Sequence, residues 1–326
     1  MEKVDLSLRK SGLPMLIPEE LSHYPVLLNE VKESFEGVSG WVVDCTVGRG
    51  GHFLKLLESH DSLIGFDVDM ESVLHIKNEL LKVVDWEVRL PLENFYFHLV
   101  NLKKNKEIYL VNKNFIYMKE VLDNLQINYI GGLLVDLGIS MYQLKDSGRG
   151  FSFNKIKDHL DMRTDLVNPI TASDLLNGLS VRELETLFRS LAEVTNAKVA
   201  AKSIVEYRKS KKIETVEDLL KALKALKKRP GQKLHPATKI FMALRIAVNN
   251  EHINLKNFLN DTLSFIMKGA VLDVIVFHSL EEKTVHNFVN TNGLVSRKLI
   301  PTKEEVEKNV SSRSGILYII QKYYEN

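Results

Sequence analysis

Three apolar runs in this chain of 326 residues end on an aspartate: VVD at Asp44, LIGFD at Asp67 and LLVD at Asp136. Gly48, Gly50 and Gly51 follow the first run, and His52 opens a segment (52–59) with helical apolar spacing. Strand, glycine turn and helix is the order in which α/β folds offer backbone N–H groups to a ligand at the carboxyl end of a strand. Glycine suits that turn because a Cβ would obstruct both positive φ and close approach to the ligand. Asp67 stands about 20 residues past the turn, where a doubly wound sheet sets a carboxylate against ribose hydroxyls. Asp69 suits the N-cap of the following helix.

The carboxyl ends of an open parallel sheet line one crevice, so the three acids should converge there. Phosphate is a poor guest beside three carboxylates. No lysine follows in a Walker pattern, and the glycine spacing is not GxGxxG. A ligand with adenine and ribose but no phosphate fits better. S-adenosylmethionine is such a ligand, and carboxylates favour its sulfonium cation.

The elements that must position these groups alternate at first. Strands are expected at 41–43, 63–66, 108–111 and 130–135, with helices at 52–59, 70–83 and 117–126. Residues 84–106 lose the period and read as a hairpin or ordered loop. After Asp136 the alternation stops. Residues 137–166 mix glycine, serine and charge with aromatics, which marks a functional loop rather than a linker. Helices follow at 172–177, 181–192, 197–209 and 215–228, then, past Arg229-Pro230-Gly231, at 235–249 and 254–267, where Lys268-Gly269 ends the last. A strand at 271–277, a helix after His278 and a strand at 315–321 complete the pattern. The economical architecture is α/β, a Rossmann-like sheet with an inserted all-helical domain. Its parts are a lead-in (1–21), a sheet domain (22–144 and 236–326) and a helical insertion (145–235).

No apolar run approaches the roughly 18 residues of a membrane span. The N-terminal stretch lacks the apolar core of a secretory leader. Cys45 is the only cysteine, which excludes an intrachain disulfide or a cysteine zinc cluster; it reads as a small core residue. The net charge of +2 conceals a division. Residues 198–233 hold twelve Lys and Arg against four acids, +8 locally, and leave −6 for the rest. A basic segment on an acidic remainder suggests a polyanion partner; a solvated helix face is the plainer alternative.

HYPVLLNEV, DCTVGRGGH, GFDVD, NF, LLVDLGIS, QL, RGFSF, LDMR, HPAT, ALRIAVNNE and FHSLEEK occur here in the order of the RsmH (MraW) family. The chain resembles that family from 23 to about 283, with a weaker echo at 311–314. The family is one of S-adenosylmethionine-dependent class I methyltransferases that act on N4 of a cytidine in the decoding region of small-subunit ribosomal RNA. The resemblance implies cofactor contacts at Gly50, Gly51, His52, Asp67, Phe115, Asp136 and Gln143. The turn amides would meet the methionyl end, Asp67 the ribose, and Phe115 the adenine by its ring face, with core packing as the plainer reading of Phe115.

A cytosine amine is a poor nucleophile, because its lone pair is delocalised into the ring. It must be held in line with the methyl group and relieved of a proton. Many amino-methyltransferases use an Asp/Asn-Pro-Pro-aromatic turn, which DLGIS at 136–140 replaces here. Asp136 is the expected acceptor for the amine, and His278 the second candidate, for proton handling or RNA contact. The alternatives are a loop-fixing carboxylate and a buried, hydrogen-bonded histidine. Arg149, Phe151, Phe153 and Arg163 would stack on or clamp an extruded nucleotide. Arg245 would face phosphate or pair with an acid inside the fold. The basic helices would grip the RNA backbone in a salt-sensitive way. No metal-ligand spacing stands out around His52 or His278, so no catalytic metal is expected. The implied partner is small-subunit ribosomal RNA in an assembling or assembled subunit, with a homodimer also open. The implied place is the cytoplasm of a bacterium, or an organelle matrix or stroma in a eukaryote.

Departures from the family pattern bear on substrate register and rate. Leu191-Ala192-Glu193-Val194 stands where a Gly-Glu-Glu element is usual, Lys268–Leu272 where a Gly-Gly-Arg turn is usual, and NKIKDH where Asp-Gly-Pro follows RGFSF. They motivate one rival, an RNA-binding assembly factor that keeps the fold but turns over poorly. A methyltransferase for protein or small molecules is the third reading, which the basic insert disfavours.

Overall fold

The computed structural model describes residues 24–83, 85–89, 96–139, 143–144, 147–226 and 236–321. The expected lead-in (1–21), the basic residues between 227 and 233, and His235 lie outside them. The strands are β1 (Val42–Asp44), β2 (Ser62–Phe66), β3 (Trp86–Arg89), β4 (Tyr96–Asn101), β5 (Lys106–Val111), β6 (Ile130–Asp136), β7 (Ile266–Val276), β8 (Val295–Leu299) and β9 (Ile316–Gln321). They form one sheet in the order β3-β4-β5-β2-β1-β6-β7-β9-β8. The five inner strands from β5 to β7 are parallel; β3, β4, β8 and β9 pair antiparallel at the flanks.

The central strands β1, β2 and β6 bury both faces, which is why they read as continuous apolar runs. Val42, Leu63, Ile108 and Leu134 point into one layer, with α1 (Leu28–Ser34), α2 (Gly51–Ser59) and α3 (Met70–Leu81). Val43, Ile64, Leu133 and Val135 point into the other, with α4 (Met118–Asn124), α10 (Glu251–Thr262) and α11 (Ser279–Thr291). Chain order runs from β1 outward to β2 and β5, then restarts at β6 on the other side of β1. The switch point therefore lies between β1 and β6, where such sheets open a crevice.

A third core is entirely helical apart from the loop that leads into it. It joins Phe151, Leu160 and Met162 to α5 (Ala172–Gly178), α6 (Val181–Ala192), α7 (Ala197–Arg208), α8 (Val216–Ala222) and α9 (Pro236–Val248). Capping boxes start three of these helices, from Thr171, Ser180 and Thr215, each satisfying backbone donors that would otherwise lack partners. Ala197, Ala200 and Ala201 on α7 bring it close to its neighbours. A short last helix, α12 (Lys303–Lys308), returns to the N-terminal turn: Glu305 accepts from Leu27 N at 2.8 Å.

Several expectations are corrected. The helix expected at 254–267 stops at Thr262, because Ile266 already pairs with Ile130 of β6. Lys268-Gly269, expected to end a helix, lies inside β7. The hairpin expected within 84–106 is borne out: Trp86–Arg89 and Tyr96–Asn101 form β3 and β4, added antiparallel to the sheet edge beside β5. Strand β8 gives no sequence signal, since four of its five residues are exposed and mostly polar. Among the described residues no helix is long and apolar enough to cross a membrane.

The loop into the helical core is tightly determined. Gly150 has φ +74°, and a Cβ there would run into the carbonyl oxygen of His159. Arg149 O accepts from Met162 N at 2.8 Å, so RGF and LDM run against each other. Gly150→Ala is expected to cost about 2–3 kcal/mol from backbone strain and overpacking. Denaturant melts would check it; a variant as stable as the parent would mean that the loop is free to yield.

Candidate active site

The crevice at the switch point is built by short-range hydrogen bonds from β1, β2 and β6. Thr46 N donates to Asp44 Oδ1 at 3.0 Å, and Asp136 N donates to Thr46 Oγ1 at 2.8 Å, so one threonine ties the ends of β1 and β6 together. Asp67, just past β2, accepts from Gly48 N and Asp69 N, both at 2.9 Å. Asn112, just past β5, donates to Asp67 O at 3.0 Å. Asp69 caps α3 as expected, accepting from Glu71 N. Thr46 and Asn112 escaped the sequence reading, because each acquires its role only from the register of its neighbours.

The glycines divide by function. Gly50 sits at φ +88° as the N-cap of α2, a conformation glycine adopts without strain. A Cβ on Gly51 would collide with the Pro25 ring, so this glycine seats the Tyr24-Pro25-Val26 turn. His52 is buried and reinforces that seat: its Nε2 lies 2.9 Å from Val26 O, which makes Nε2 the protonated nitrogen. Its Nδ1 faces Asp136 Oδ2 at 3.9 Å.

The acids converge. Burial, and to a lesser degree the charge of Asp67, lift the Asp44 carboxyl to about 7 against the pull of the Thr46 N–H. Burial lifts Asp67 to about 6 against the hydrogen bonds from Asp69 and Gly48. Asp136 is raised well above the ordinary range by burial and by the charges of Asp44 and Glu281. Asp44 Oδ2 and Asp136 Oδ1 are buried without a hydrogen-bond partner among the described residues. Like charges gathered under low dielectric call for a cation. The sulfonium of S-adenosylmethionine meets that need, and Asp67 keeps lone pairs for ribose hydroxyls.

Phe115 opens a short 3-10 turn past β5, capped by Asn114. Its half-buried ring lies 4.7 Å from that of Phe258 at 66°. Gly50, Asp67, Phe115 and Asp136 thus follow β1, β2, β5 and β6, four neighbouring strands, at their carboxyl ends. Gln143 is buried, and its carbonyl accepts from Ser147 Oγ at 2.6 Å.

His278 is the N-cap of α11 at the end of β7, and its Nδ1 accepts from Glu281 N at 3.3 Å. Its Nε2 stands 3.0 Å from Glu281 Oε1, and Glu281 Oε2 accepts from Phe277 N at 2.8 Å. Burial would raise the Glu281 carboxyl, but His278 and Arg245 outweigh it and keep this acid ionised. Glu281 was not foreseen, although it belongs to FHSLEEK. Arg245 takes the internal alternative: Nη2 donates to Glu251 Oε2 at 2.9 Å, and Nε lies 2.9 Å from Oε1. Glu251, His278 and Glu281 bring one donor atom each within 4.8 Å of the others, a grouping the spacing did not reveal. Arg245 already supplies the positive charge there, so the donor set gives no support for an added metal ion.

The residues expected on RNA behave differently from the cofactor set. Phe151 is 7% exposed in the helical core, and Phe153 packs edge-on to Phe241 with centroids 6.0 Å apart. Arg163 pairs with Asp161 and donates to Leu166 O and Asn168 O. Arg149 donates to Arg163 O and reaches Asp69. These side chains build the loop's own structure, which leaves them little freedom to clamp a base. Two surface hollows lie on α7, lined by residues such as Lys202, Ser203, Glu206 and Lys209. They gather no buried acids, and the chemistry belongs at the strand ends.

A sequence model of the MraW methylase family matches residues 20–323. The chain belongs to that family. It is 38% identical over 312 residues to ribosomal RNA small subunit methyltransferase H of Thermosipho africanus, covering 93% of this chain and 98% of that protein. It is 36% identical over 320 residues to the protein of the same name from Mycoplasmopsis pulmonis, covering 92% and 99%. Two of the departures from the MraW pattern fall outside the carboxyl ends of the strands. Leu191–Val194 forms the end of α6, with Glu193 at φ +49° as its left-handed cap, and Lys268–Leu272 lies in the amino half of β7.

The raised acids give a signed pH dependence. Asp44 and Asp67 hold protons up to about 7 and about 6 in the ligand-free chain. A bound cation favours their ionised forms, so binding expels protons and affinity rises with pH through about 6 to about 7. By the same sign, the ligand-free chain loses stability as pH rises from 3.8 to about 7. Calorimetric titration with S-adenosylmethionine near pH 6, in buffers of different ionisation enthalpy, should show net proton release. Proton uptake, or no exchange, would contradict the clustering of acids around the cofactor.

Proposed function

We infer that the protein transfers a methyl group from S-adenosylmethionine to the N4 amine of a cytidine in the decoding region of small-subunit ribosomal RNA. The observation that carries this reading is Asp136, whose buried Oδ1 at the switch point beside Asp44 and Glu281 has no hydrogen-bond partner among the described residues, in a chain of the MraW methylase family. S-adenosylmethionine, when bound, supplies a methyl group activated by a positively charged sulfur. Asp67 is fixed by the Gly48 and Asp69 amides so that its remaining lone pairs accept ribose hydroxyls. Phe115, braced by Phe258, offers its uncovered surface to adenine. The ionised acids of the crevice favour positive charge at the sulfur and on the attacking nitrogen.

Asp136 performs the remaining task. Its backbone is pinned by Thr46, and its Oδ1 accepts an amine N–H, which orients the nitrogen lone pair and receives the released proton. His278 is committed to Glu281 and holds the end of β7, which favours a positioning role over direct proton transfer.

We assign 145–235 to substrate recognition. Lys198, Lys202 and Lys224 are exposed on its helices and have no carboxylate partner among the described residues, so they are available to phosphates. The substrate would be the RNA of an assembling or assembled small subunit. The strand-end acids stand intact while the family departures fall elsewhere, which favours an active enzyme over an inert assembly factor.

Incubation with labelled S-adenosylmethionine and small-subunit RNA or subunits, then nucleoside mass spectrometry, should give N4-methylcytidine. Asp136→Ala should lower the rate by about 10²-fold or more, with cofactor affinity changed far less. Tight cofactor binding with no product on any ribosomal RNA preparation would refute the reading, and full activity in Asp136→Ala would refute the assigned role.

A further inference from the structure

Arg149 connects two parts of the molecule that share no hydrophobic core. Its Nη2 stands 3.4 Å from Asp69 Oδ2, and the side chains are 16% and 13% exposed. Its Nη1 donates to Arg163 O at 2.9 Å and to Thr164 O at 3.4 Å. The guanidinium carbon lies 5.7 Å from the centroid of Phe151, a member of the helical core.

Both ends of this strut are themselves held. On the sheet side, Asp69 caps α3 with Oδ1 and gives its N–H to Asp67. On the helical side, Thr164 N donates to Asn249 Oδ1 and Asn249 Nδ2 donates to Met162 O, both at 2.8 Å. Asn249 Nδ2 also donates to Arg245 O, one turn back on α9. A chain of direct contacts therefore runs from Asp67, by Asp69, Arg149, Thr164 and Asn249, to α9.

We propose that Arg149 is a positioning residue that couples the two ligands: cofactor at Asp67 sets the Asp69–Arg149 pair and so orders the helical segment for RNA. This rests on the reading of Asp67 as the ribose acceptor and of the helices as the RNA grip. Coupling arises because the turn, the strut and the loop must be ordered for either ligand. Whichever binds first meets that cost, and the second binds more tightly. A lysine could not replace the strut, since one ammonium cannot present the planar fork that meets Asp69 and two carbonyls at once.

The test measures binding of deproteinised small-subunit ribosomal RNA with and without saturating S-adenosylhomocysteine, for the parent chain, Arg149→Gln, Asp69→Asn and the double variant. Asparagine retains the capping of α3, so Asp69→Asn removes the ion pair without removing the cap. In the parent the homocysteine ligand should tighten RNA binding by about tenfold, within the usual range of coupling between sites. Each single variant should reduce that effect to about twofold or less, and the double variant should be no worse than either, because both remove one interaction. Parent RNA affinity that ignores the ligand, or coupling that survives in Arg149→Gln, overturns the coupling alone. Absence of binding in every protein, to small subunits as well as to deproteinised RNA, sinks the functional reading and the coupling with it.

Discussion

Four carboxylates, Asp44, Asp67, Asp136 and Glu281, are linked by charge: Asp44 feels Asp67, and Asp136 feels Asp44 and Glu281. Buried acids of like charge are costly to ionise together, and ordinary folding pressure would remove them. Their retention at the switch point is the constraint around which the rest is organised. The sheet order places β5, β2, β1 and β6 side by side. Thr46 locks the ends of β1 and β6, and the glycine turn brings its amides to Asp67. In the ligand-free chain burial favours the protonated forms of Asp44, Asp67 and Asp136. A sulfonium favours the ionised forms, and that difference is what lets the site discriminate a cationic cofactor from an anionic nucleotide.

The loop from 147 to 168 serves a different end from the one its composition suggests. Arginines and phenylalanines in a polar stretch look like a nucleotide clamp. In the fold, Phe151 and Met162 form the floor of the helical core, Arg163 satisfies two backbone carbonyls and Asp161, and Gly150 permits the close crossing with His159. A long connection between two cores must satisfy its backbone groups somewhere, and here arginine side chains do so. Rigidity of this kind fixes how the helical surface is presented to the crevice. The exposed lysines of that surface are the groups that the proposed function leaves to meet phosphates.

How much of this was legible depends on whether a feature is local. Strand-ending aspartates could be read because a parallel strand buried on both faces is a short apolar run with an abrupt end. Asp69 as a cap and the helix at 181–192 follow from local rules. The carbonyl-bound arginines could not be read, since their partners are backbone atoms whose placement depends on the whole loop. The boundary near Ile266 went wrong because pairing with Ile130 overrides helical spacing. Thr46 and Asn112 look like ordinary turn residues until register brings β1 against β6 and β5 against β2. Strand β8 is held through β9 by an edge pairing that its own residues do not announce.

The pairing of ALRIAVNNE with FHSLEEK completes the electrostatic account. Arg245 binds Glu251 through two nitrogens, and its charge also reaches Glu281. Burial alone would protonate Glu281; His278 and Arg245 together hold it ionised, and the Phe277 amide fixes its orientation. Glu281 is thus kept negative by its His278 partner and the Arg245 guanidinium, in contrast to Asp44, Asp67 and Asp136, whose carboxyls burial pushes upward. A standing negative charge beside Asp136 raises the proton affinity of that aspartate, which is the property a proton acceptor for a weakly basic amine needs. In the mechanism proposed for Asp136, loss of Arg245 would therefore act on that aspartate indirectly, by weakening the hold on the Glu281 charge.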